Sequence, residues 1–170
     1  MKRLSFVLFL FLFLTPLFAQ QPDSITYTQV GDLAPAFKVT TIDGKELDIL
    51  KLKGKVVLIN FFAIWCSPCM AEMPHLEKEI WQKYRKRGDF VVLAIGREHT
   101  TEQLIKFNQK KKFTFYIAPD HKRGVYSLFA KKMIPRNYLI DREGKIAYQA
   151  IGYNQKEFEH LQKKIKELLK

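Results

Sequence analysis

The chain has 170 residues, of which 47% are hydrophobic and 27% are charged, and it contains only two cysteines. Its formal net charge of +12 comes from scattered basic clusters without interleaved aromatic residues or a nucleic-acid motif, so we expect solvated faces and no nucleic-acid partner. Two thiols are also too few for a four-thiolate zinc site.

The first 19 residues are typical of a secretory signal peptide. Lys2 and Arg3 precede an apolar run over residues 4–14, and Ala19 is a small residue suited to cleavage. Loss of Lys2 and Arg3 lowers the charge from +12 by 2, to +10. We therefore predict an exported protein, periplasmic or otherwise extracytoplasmic, with one domain over residues 20–170. An uncleaved N-terminal membrane anchor is the alternative.

Strand signals dominate the next part of the chain. Residues 26–30 predict a short strand, and the runs 37–41 and 46–49 flank Asp43-Gly44, which is a strong hairpin turn signal. Residues 56–62 then form a continuous apolar run of strand length. Such a run fits a central strand that is buried on both faces.

A helix is predicted to begin at Trp65-Cys66-Ser67-Pro68-Cys69, directly after that strand. Pro74 lies inside the helix and should kink it. Residues 90–95 read as a second buried strand, so that strand, helix and strand form a parallel βαβ unit with a right-handed crossover. The apolar face of the helix consists of residues at three- and four-residue spacing: Cys69, Met73, Leu76, Ile80 and Tyr84.

The remaining pattern completes an α/β architecture, a central mixed β-sheet with helices on its two faces. A helix capped by Thr100 and Gln103 is predicted to run to about Lys111, followed by a strand over 113–118 and a short helix over 124–130. A hairpin of 137–141 with 145–151 comes next. The final helix is capped by Asn154 and Glu157, and its apolar stripe consists of Phe158, Leu161, Ile165 and Leu168.

The two cysteines, Cys66 and Cys69, carry the predicted chemistry. A disulfide between them closes almost no loop, so an exported protein that keeps this pair is expected to use it for redox chemistry. A reactive thiol must ionise, and the helix N-terminus formed by Ser67 and Pro68 favours a thiolate at Cys66. Cys66 is therefore predicted to be the exposed nucleophile and Cys69 the buried resolving thiol. No cofactor beyond their disulfide, and no metal, is expected.

Three segments of the chain carry a resemblance to a known family. They are Gly31-Asp32-Leu33-Ala34-Pro35-Ala36-Phe37, Asn60-Phe61-Phe62-Ala63-Ile64-Trp65-Cys66-Ser67-Pro68-Cys69 with Glu72 and Pro74, and Ile134-Pro135-Arg136-Asn137-Tyr138-Leu139-Ile140-Asp141. With these segments the chain resembles the TlpA/ResA-type extracytoplasmic thiol-disulfide oxidoreductases of the thioredoxin superfamily. The resemblance implies a thioredoxin-like fold over residues 20–170, with an N-terminal β-hairpin extension and an inserted βα element. It also implies a reductant of protein disulfides, often serving cytochrome c maturation, that meets protein thiol or disulfide clients and a membrane electron donor.

The resemblance also implies roles for residues around the thiols. Pro135 is expected to be cis and to lie beside the cysteine pair, so that the backbone of Ile134 can pair with an extended client. Trp65 is expected to be a partly exposed platform for the client. Asn60 stands where cytoplasmic thioredoxins carry a buried Asp, and Glu72 is the implied replacement as general base. A solvent-facing helix glutamate is the open alternative for Glu72.

Two other functions compete with disulfide exchange. A thiol peroxidase requires a Pro-x-x-x-Thr-x-x-Cys setting, which the residues before Cys66 do not provide. A Cu(I) carrier is the second alternative, although Met73 lies on the apolar stripe and the remaining histidines show no ligand spacing. We expect those histidines to be surface residues: His99, His121 and His160. The soft ligands for copper would be Cys66, Cys69, Met70, Met73 and His75.

Overall fold

The structure, a computed structural model, describes residues 25–170. The predicted signal peptide and its membrane-anchor alternative therefore lie outside the described residues. Between residues 25 and 170, no helix is both long enough and apolar enough to cross a bilayer.

Seven strands and five α-helical segments make up the fold over these residues. The strands are β1 (Lys38–Thr40), β2 (Glu46–Asp48), β3 (Val56–Phe62), β4 (Phe90–Arg97), β5 (Tyr116–Asp120), β6 (Arg136–Ile140) and β7 (Ile146–Ile151). The helices are a 3-10 turn (Ile49–Leu52), α1 (Ser67–His75), a π-helical stretch (Leu76–Trp81), α2 (Gln82–Tyr84), α3 (Thr101–Lys111), α4 (Tyr126–Phe129) and α5 (Gln155–Leu168).

The central sheet is mixed, as the sequence predicts. Its strand order is β5-β4-β3-β6-β7, with β3, β4 and β5 parallel and with β6 and β7 antiparallel to their neighbours. Strands β1 and β2 form a separate hairpin, which is the predicted N-terminal extension. Helix α3, strand β5 and helix α4 lie between β4 and the final hairpin.

Strand β3 is buried along its whole length because it has a hydrophobic layer on each face. Leu58 and Phe62 point into the layer formed with α1, α3 and α5, whereas Ile59 and Phe61 point into the layer formed with α4 and the hairpin. Each such side chain contributes about 1.5–3 kcal/mol on burial. Strand alternation places Asn60 on the same face as Leu58 and Phe62, which is the face that α1 covers.

The helix after β3 changes its hydrogen-bonding pattern shortly after Pro74. Proline has no backbone N–H and cannot continue the α-helical ladder. The N–H of Leu76 donates to the carbonyl oxygens of both Glu72 and Met73, and π-helical geometry follows as far as Trp81. The position at which a kink is predicted therefore shows a change of helix type, and α1, the π-helical stretch and α2 follow one another without a break. The apolar face is buried from Cys69 to Ile80.

Three predicted elements differ from those in the structure. Residues 26–30 do not form a strand, because only Thr26 finds a bridge partner, in Ala130. The strand predicted over 113–118 begins at Tyr116, since the side chain of Asn108 hydrogen-bonds the backbone of Phe113 at the end of α3. The helix predicted over 124–130 is reduced to α4.

Candidate active site

Cys66 and Cys69 form a disulfide at the start of α1. Cys66 is the N-cap residue, and the backbone N–H of Cys69 donates to its Sγ atom at 3.3 Å. Ser67 and Pro68 occupy the first helical turn, as predicted. The positive end of the helix dipole and this N–H both favour negative charge on the sulfur of Cys66 once the disulfide opens.

The two sulfurs differ in accessibility less than the sequence predicts. Cys66 is 6% exposed and Cys69 is fully buried, so Cys66 is the more accessible of the two but is not an exposed residue. The reason lies beyond the local sequence, because the carbonyl oxygen of Ile134 is 3.8 Å from the Sγ atom of Cys66. Cys69 is part of the hydrophobic core.

The loop before β6 and the residue before Cys66 frame the sulfur. The Ile134-Pro135 peptide bond is cis, and Pro135 is buried while Ile134 is partly exposed. Trp65 is 61% exposed, which agrees with the expectation of an open aromatic platform. The carbonyl of Ile134 thus lies against the sulfur of Cys66, the more accessible of the two cysteines, and the exposed Trp65 immediately precedes Cys66 in the chain.

Glu72 is buried beside this pair, so the solvent-facing alternative is wrong. It is 1% exposed, and it lies three residues after Cys69 on the same face of α1. The Nδ2 group of Asn60 donates to Glu72 Oε2 at 2.9 Å, and the Nδ2 group of Asn137 donates to Glu72 Oε1 at 2.5 Å. Asn60 also donates to Asn137 Oδ1 at 2.9 Å, which closes a buried polar triad.

Burial raises the pKa of Glu72 to about 7, against the smaller lowering effect of the bonds from Asn137 and Asn60. A carboxyl group with such a pKa exchanges its proton near neutral pH, which is the property required of a general acid or base there. Asn137 belongs to β6 and faces Asn60 directly across the β3–β6 pairing. Sequence reasoning missed Asn137, although its place after Pro135-Arg136 in the family motif was a signal.

Arg136 is a second residue that sequence reasoning did not single out. Its side chain is 1% exposed, and its guanidinium group donates to the carbonyl oxygens of Lys132 and Met133 and to that of Ile25. These bonds to backbone carbonyls compensate for burial of the charge. Arg136 therefore holds the loop that leads into Ile134 and Pro135.

His99 is buried, so its expected place on the surface is wrong. It is 6% exposed, and its Nε2 atom accepts a hydrogen bond from the backbone N–H of Ile64 at 2.9 Å. Burial lowers the pKa of His99, which favours the neutral ring that such an acceptor requires. His99 thereby positions the turn that carries Trp65 and Cys66.

We expect His99→Leu to lower the free energy of unfolding by about 1–3 kcal/mol, because the buried N–H of Ile64 loses its acceptor. His99→Gln keeps an acceptor and should lose less. Urea unfolding of the oxidised protein measures both, with His121→Leu as the control at an exposed histidine. Equal small losses for His99→Leu and His121→Leu would contradict this role.

Comparison with known proteins agrees with the geometry. A sequence profile of the AhpC/TSA family matches residues 30–149. The thiol-disulfide oxidoreductase ResA of Bacillus thuringiensis (strain Al Hakam) is 35% identical over 129 residues, covering 76% of this chain and 73% of the relative. The chain belongs to the AhpC/TSA family. It is a ResA-type thiol-disulfide oxidoreductase of the thioredoxin superfamily.

One further relative and two solved structures are also similar to this chain. The thioredoxin-like protein YneN of Bacillus subtilis (strain 168) is 33% identical over 124 residues, which cover 73% of this chain and 72% of YneN. A candidate protein disulfide isomerase from Bacteroides thetaiotaomicron has a TM-score of 0.82 at 37% identity, covering 85% of this chain and 92% of that structure. A candidate thiol:disulfide interchange protein DsbE from Chlorobium tepidum has a TM-score of 0.77 at 30% identity, covering 85% of this chain and 100% of that structure.

The site bears on both competing functions. Ala63 occupies the position three residues before Cys66 at which a peroxidatic cysteine motif has Thr, and Cys66 is bonded to Cys69. Among residues 25–170, no group of three or more His, Cys, Asp or Glu side chains is placed to hold a metal ion. Met73 is fully buried in the core, and the Nδ1 atom of His75 pairs with Glu79 at 2.6 Å. Packing and local pairing explain these residues without copper.

Proposed function

We propose that this oxidoreductase is exported and reduces disulfides in protein clients through Cys66 and Cys69. The observation that carries the proposal is the asymmetric pair, in which Cys66 caps a helix beside the backbone carbonyl of Ile134, while Cys69 is fully buried on α1, three residues before the buried carboxyl of Glu72. The proposal includes a periplasmic or other extracytoplasmic location and a membrane-bound dithiol as electron donor. Apocytochrome c, with its haem-binding cysteines, is the client class favoured by the resemblance.

The first step is attack of the Cys66 thiolate on one sulfur of the client disulfide. The client S–S bond breaks, a mixed disulfide forms with Cys66, and the other client sulfur leaves as a thiolate that takes a proton from water. The exposed indole of Trp65 and the carbonyl of Ile134 flank the path by which the client approaches. An extended client segment can donate a backbone N–H to that carbonyl, as in strand addition.

The second step is attack of Cys69 on the Sγ atom of Cys66. Cys69 must lose its proton in a fully buried site, where a thiolate is unfavourable. Glu72, one turn along the same face of α1, takes that proton as its pKa of about 7 allows. The Cys66–Cys69 disulfide forms and the second client thiolate leaves, so two electrons pass from the dithiol to the client. The donor dithiol then reduces Cys66–Cys69.

The surroundings of Cys66 favour reduction of clients over their oxidation. Strongly oxidising relatives of this kind owe their potential to a highly stabilised thiolate. Within the described residues, the Sγ atom of Cys66 accepts a hydrogen bond from one backbone N–H, at 3.3 Å. The carbonyl oxygen of Ile134 also lies near this sulfur, and a carbonyl oxygen does not stabilise negative charge. The helix dipole and one N–H therefore stabilise the thiolate less than a strong oxidant requires.

We expect the reduction potential of the Cys66–Cys69 pair to lie near that of thioredoxin, about −270 mV, rather than near that of DsbA, about −120 mV. Equilibration of the purified protein with a series of dithiothreitol and glutathione buffers, followed by alkylation of free thiols, measures this potential. A value close to −120 mV would reverse the proposed direction of electron flow while leaving disulfide exchange itself intact.

A further inference from the structure

The exposed indole of Trp65 contacts a cluster of cationic and aromatic side chains near the reactive Cys66. The guanidinium carbon of Arg97 lies 5.3 Å from the ring centroid of Trp65 and 5.2 Å from that of Tyr126. The guanidinium carbon of Arg123 lies 5.2 Å from the same Tyr126 ring. Two arginines therefore contact the Tyr126 ring, and one of them, Arg97, also contacts Trp65, the residue that precedes Cys66.

The same cluster also contacts the loop that lies beside the sulfur of Cys66. The hydroxyl of Tyr126 donates to the carbonyl oxygen of Met133 at 2.6 Å. The next residue is Ile134, whose carbonyl oxygen is 3.8 Å from the Sγ atom of Cys66. Trp65, Arg97, Tyr126 and the 133–134 loop thus form a continuous border around one side of the active site.

Positive charge predominates on this border. Glu98 contacts both arginines, with its Oε2 atom 3.1 Å from Arg97 Nη2 and its Oε1 atom 3.9 Å from Arg123 Nη1. One carboxylate thus faces two guanidinium groups. Lys131 and Lys132 are exposed immediately before Met133. We call Arg97, Arg123, Lys131 and Lys132 the cationic rim.

The rim retains capacity to bind a carboxylate. The Nη2 group of Arg123 donates to the carbonyl oxygen of Lys131, whereas its Nη1 group is 3.9 Å from Glu98 Oε1, which is longer than a hydrogen bond, and the Arg123 side chain is 33% exposed. An arginine in this state can still donate to a second carboxylate. Two exposed apolar side chains adjoin the rim: Trp65, 61% exposed, contacts Arg97, and Met133, 51% exposed, follows Lys132 in the chain. The surface combines apolar contact with positive charge.

We propose that the preferred clients of this site carry aspartate or glutamate beside an apolar residue close to the attacked disulfide. The inference rests on the proposed function, because it names the substrate class of the same thiol pair. A client carboxylate would pair with Arg123 and the lysines of the rim while its apolar neighbour lies on Trp65 and Met133. Partly exposed charge pairs contribute modest energy, so the rim selects among clients rather than creating binding alone.

The test uses three cystine peptides that share one intramolecular disulfide and differ only in the residues flanking each cysteine, which are glutamate, glutamine or lysine. The reduced protein should react with the glutamate peptide about fivefold faster in kcat/KM than with the glutamine peptide, and slowest with the lysine peptide. The differences should shrink as salt is raised, because exposed pairs are screened.

Charge-reversal variants test whether the cationic rim causes the preference for the glutamate peptide. Arg123→Glu should abolish or invert the order of the three peptides, whereas reaction with the uncharged bis(2-hydroxyethyl) disulfide should change less than about twofold. Lys132→Glu is a second variant, at an exposed position. The matched control is Arg85→Glu, which makes the same change of charge at an exposed residue just after α2, distant in the chain from the rim and the cysteines.

Equal rates for the three peptides, or an unchanged order in both rim variants, would overturn the inference. An equal effect of Arg85→Glu would also overturn it, because the overall charge of the protein would then explain the preference. Failure of the proposed function looks different. In that case the wild-type protein would reduce neither any peptide nor bis(2-hydroxyethyl) disulfide.

Discussion

Replacement of Cys66 should abolish disulfide exchange, whereas replacement of Cys69 should trap a covalent complex with the client. Only Cys66 has any accessible surface, and the N–H of Cys69 and the helix dipole favour its thiolate. Without Cys69 the mixed disulfide on Cys66 has no internal thiol to resolve it. Incubation of Cys69→Ser with a disulfide-containing client, followed by non-reducing gel electrophoresis and mass spectrometry of the linked cysteine, measures the trapped species.

Two controls separate chemistry from folding in this experiment. Cys69 lies in the core, where the hydroxyl of serine lacks a known partner, so Cys69→Ala tests whether trapping is independent of that hydroxyl. Cys66→Ser should give no covalent complex. Trapping by Cys66→Ser through Cys69 would contradict the assigned order of the two thiols.

The parts of the fold that the sequence predicts well are those in which local pattern and tertiary environment agree. The apolar run of β3 predicts burial on both faces, and the stripe from Cys69 to Ile80 predicts the buried face of the helix. The turn at Asp43-Gly44 is confirmed, with Gly44 at a φ of 83° that favours glycine. Residues 26–30 have strand-forming side chains, but a strand requires a partner, and the fold supplies only Ala130.

The active site shows the same division between local and long-range information. A helix mouth with Cys66 and Cys69 is local, and the sequence predicts it. The burial of Glu72 depends on the β3–β6 register, which places Asn137 opposite Asn60 beneath α1. His99 becomes an acceptor for Ile64 only because the turn after β4 packs against the turn after β3. No spacing within one segment reports such pairs, so the sequence pattern alone predicts neither the partners of Glu72 nor the burial of His99.

Glu72→Gln should slow the release of client from Cys66 by about a hundredfold near pH 7, because Cys69 loses the base that takes its proton. Burial raises the pKa of Glu72 to about 7, so the wild-type rate should rise as pH increases through that value. The variant should lack this step in its pH–rate profile. Single-turnover decay of a preformed mixed disulfide measures resolution directly, and Glu159→Gln at an exposed position of α5 is the control.

The same substitution should alter how stability depends on pH. A folded-state pKa raised from 4.5 to about 7 means that folded Glu72 holds its proton in this range after the unfolded chain has released it. The raised pKa of Glu72 therefore contributes to the stability of the folded state fully below about pH 4.5. This contribution, roughly 3 kcal/mol, is lost as pH rises through about 7. Urea unfolding of the oxidised proteins, in which the thiols do not titrate, should therefore show Glu72→Gln gaining stability relative to wild type between these pH values. A constant difference across that range, together with an unchanged pH–rate profile, would show that Glu72 takes no part in proton transfer.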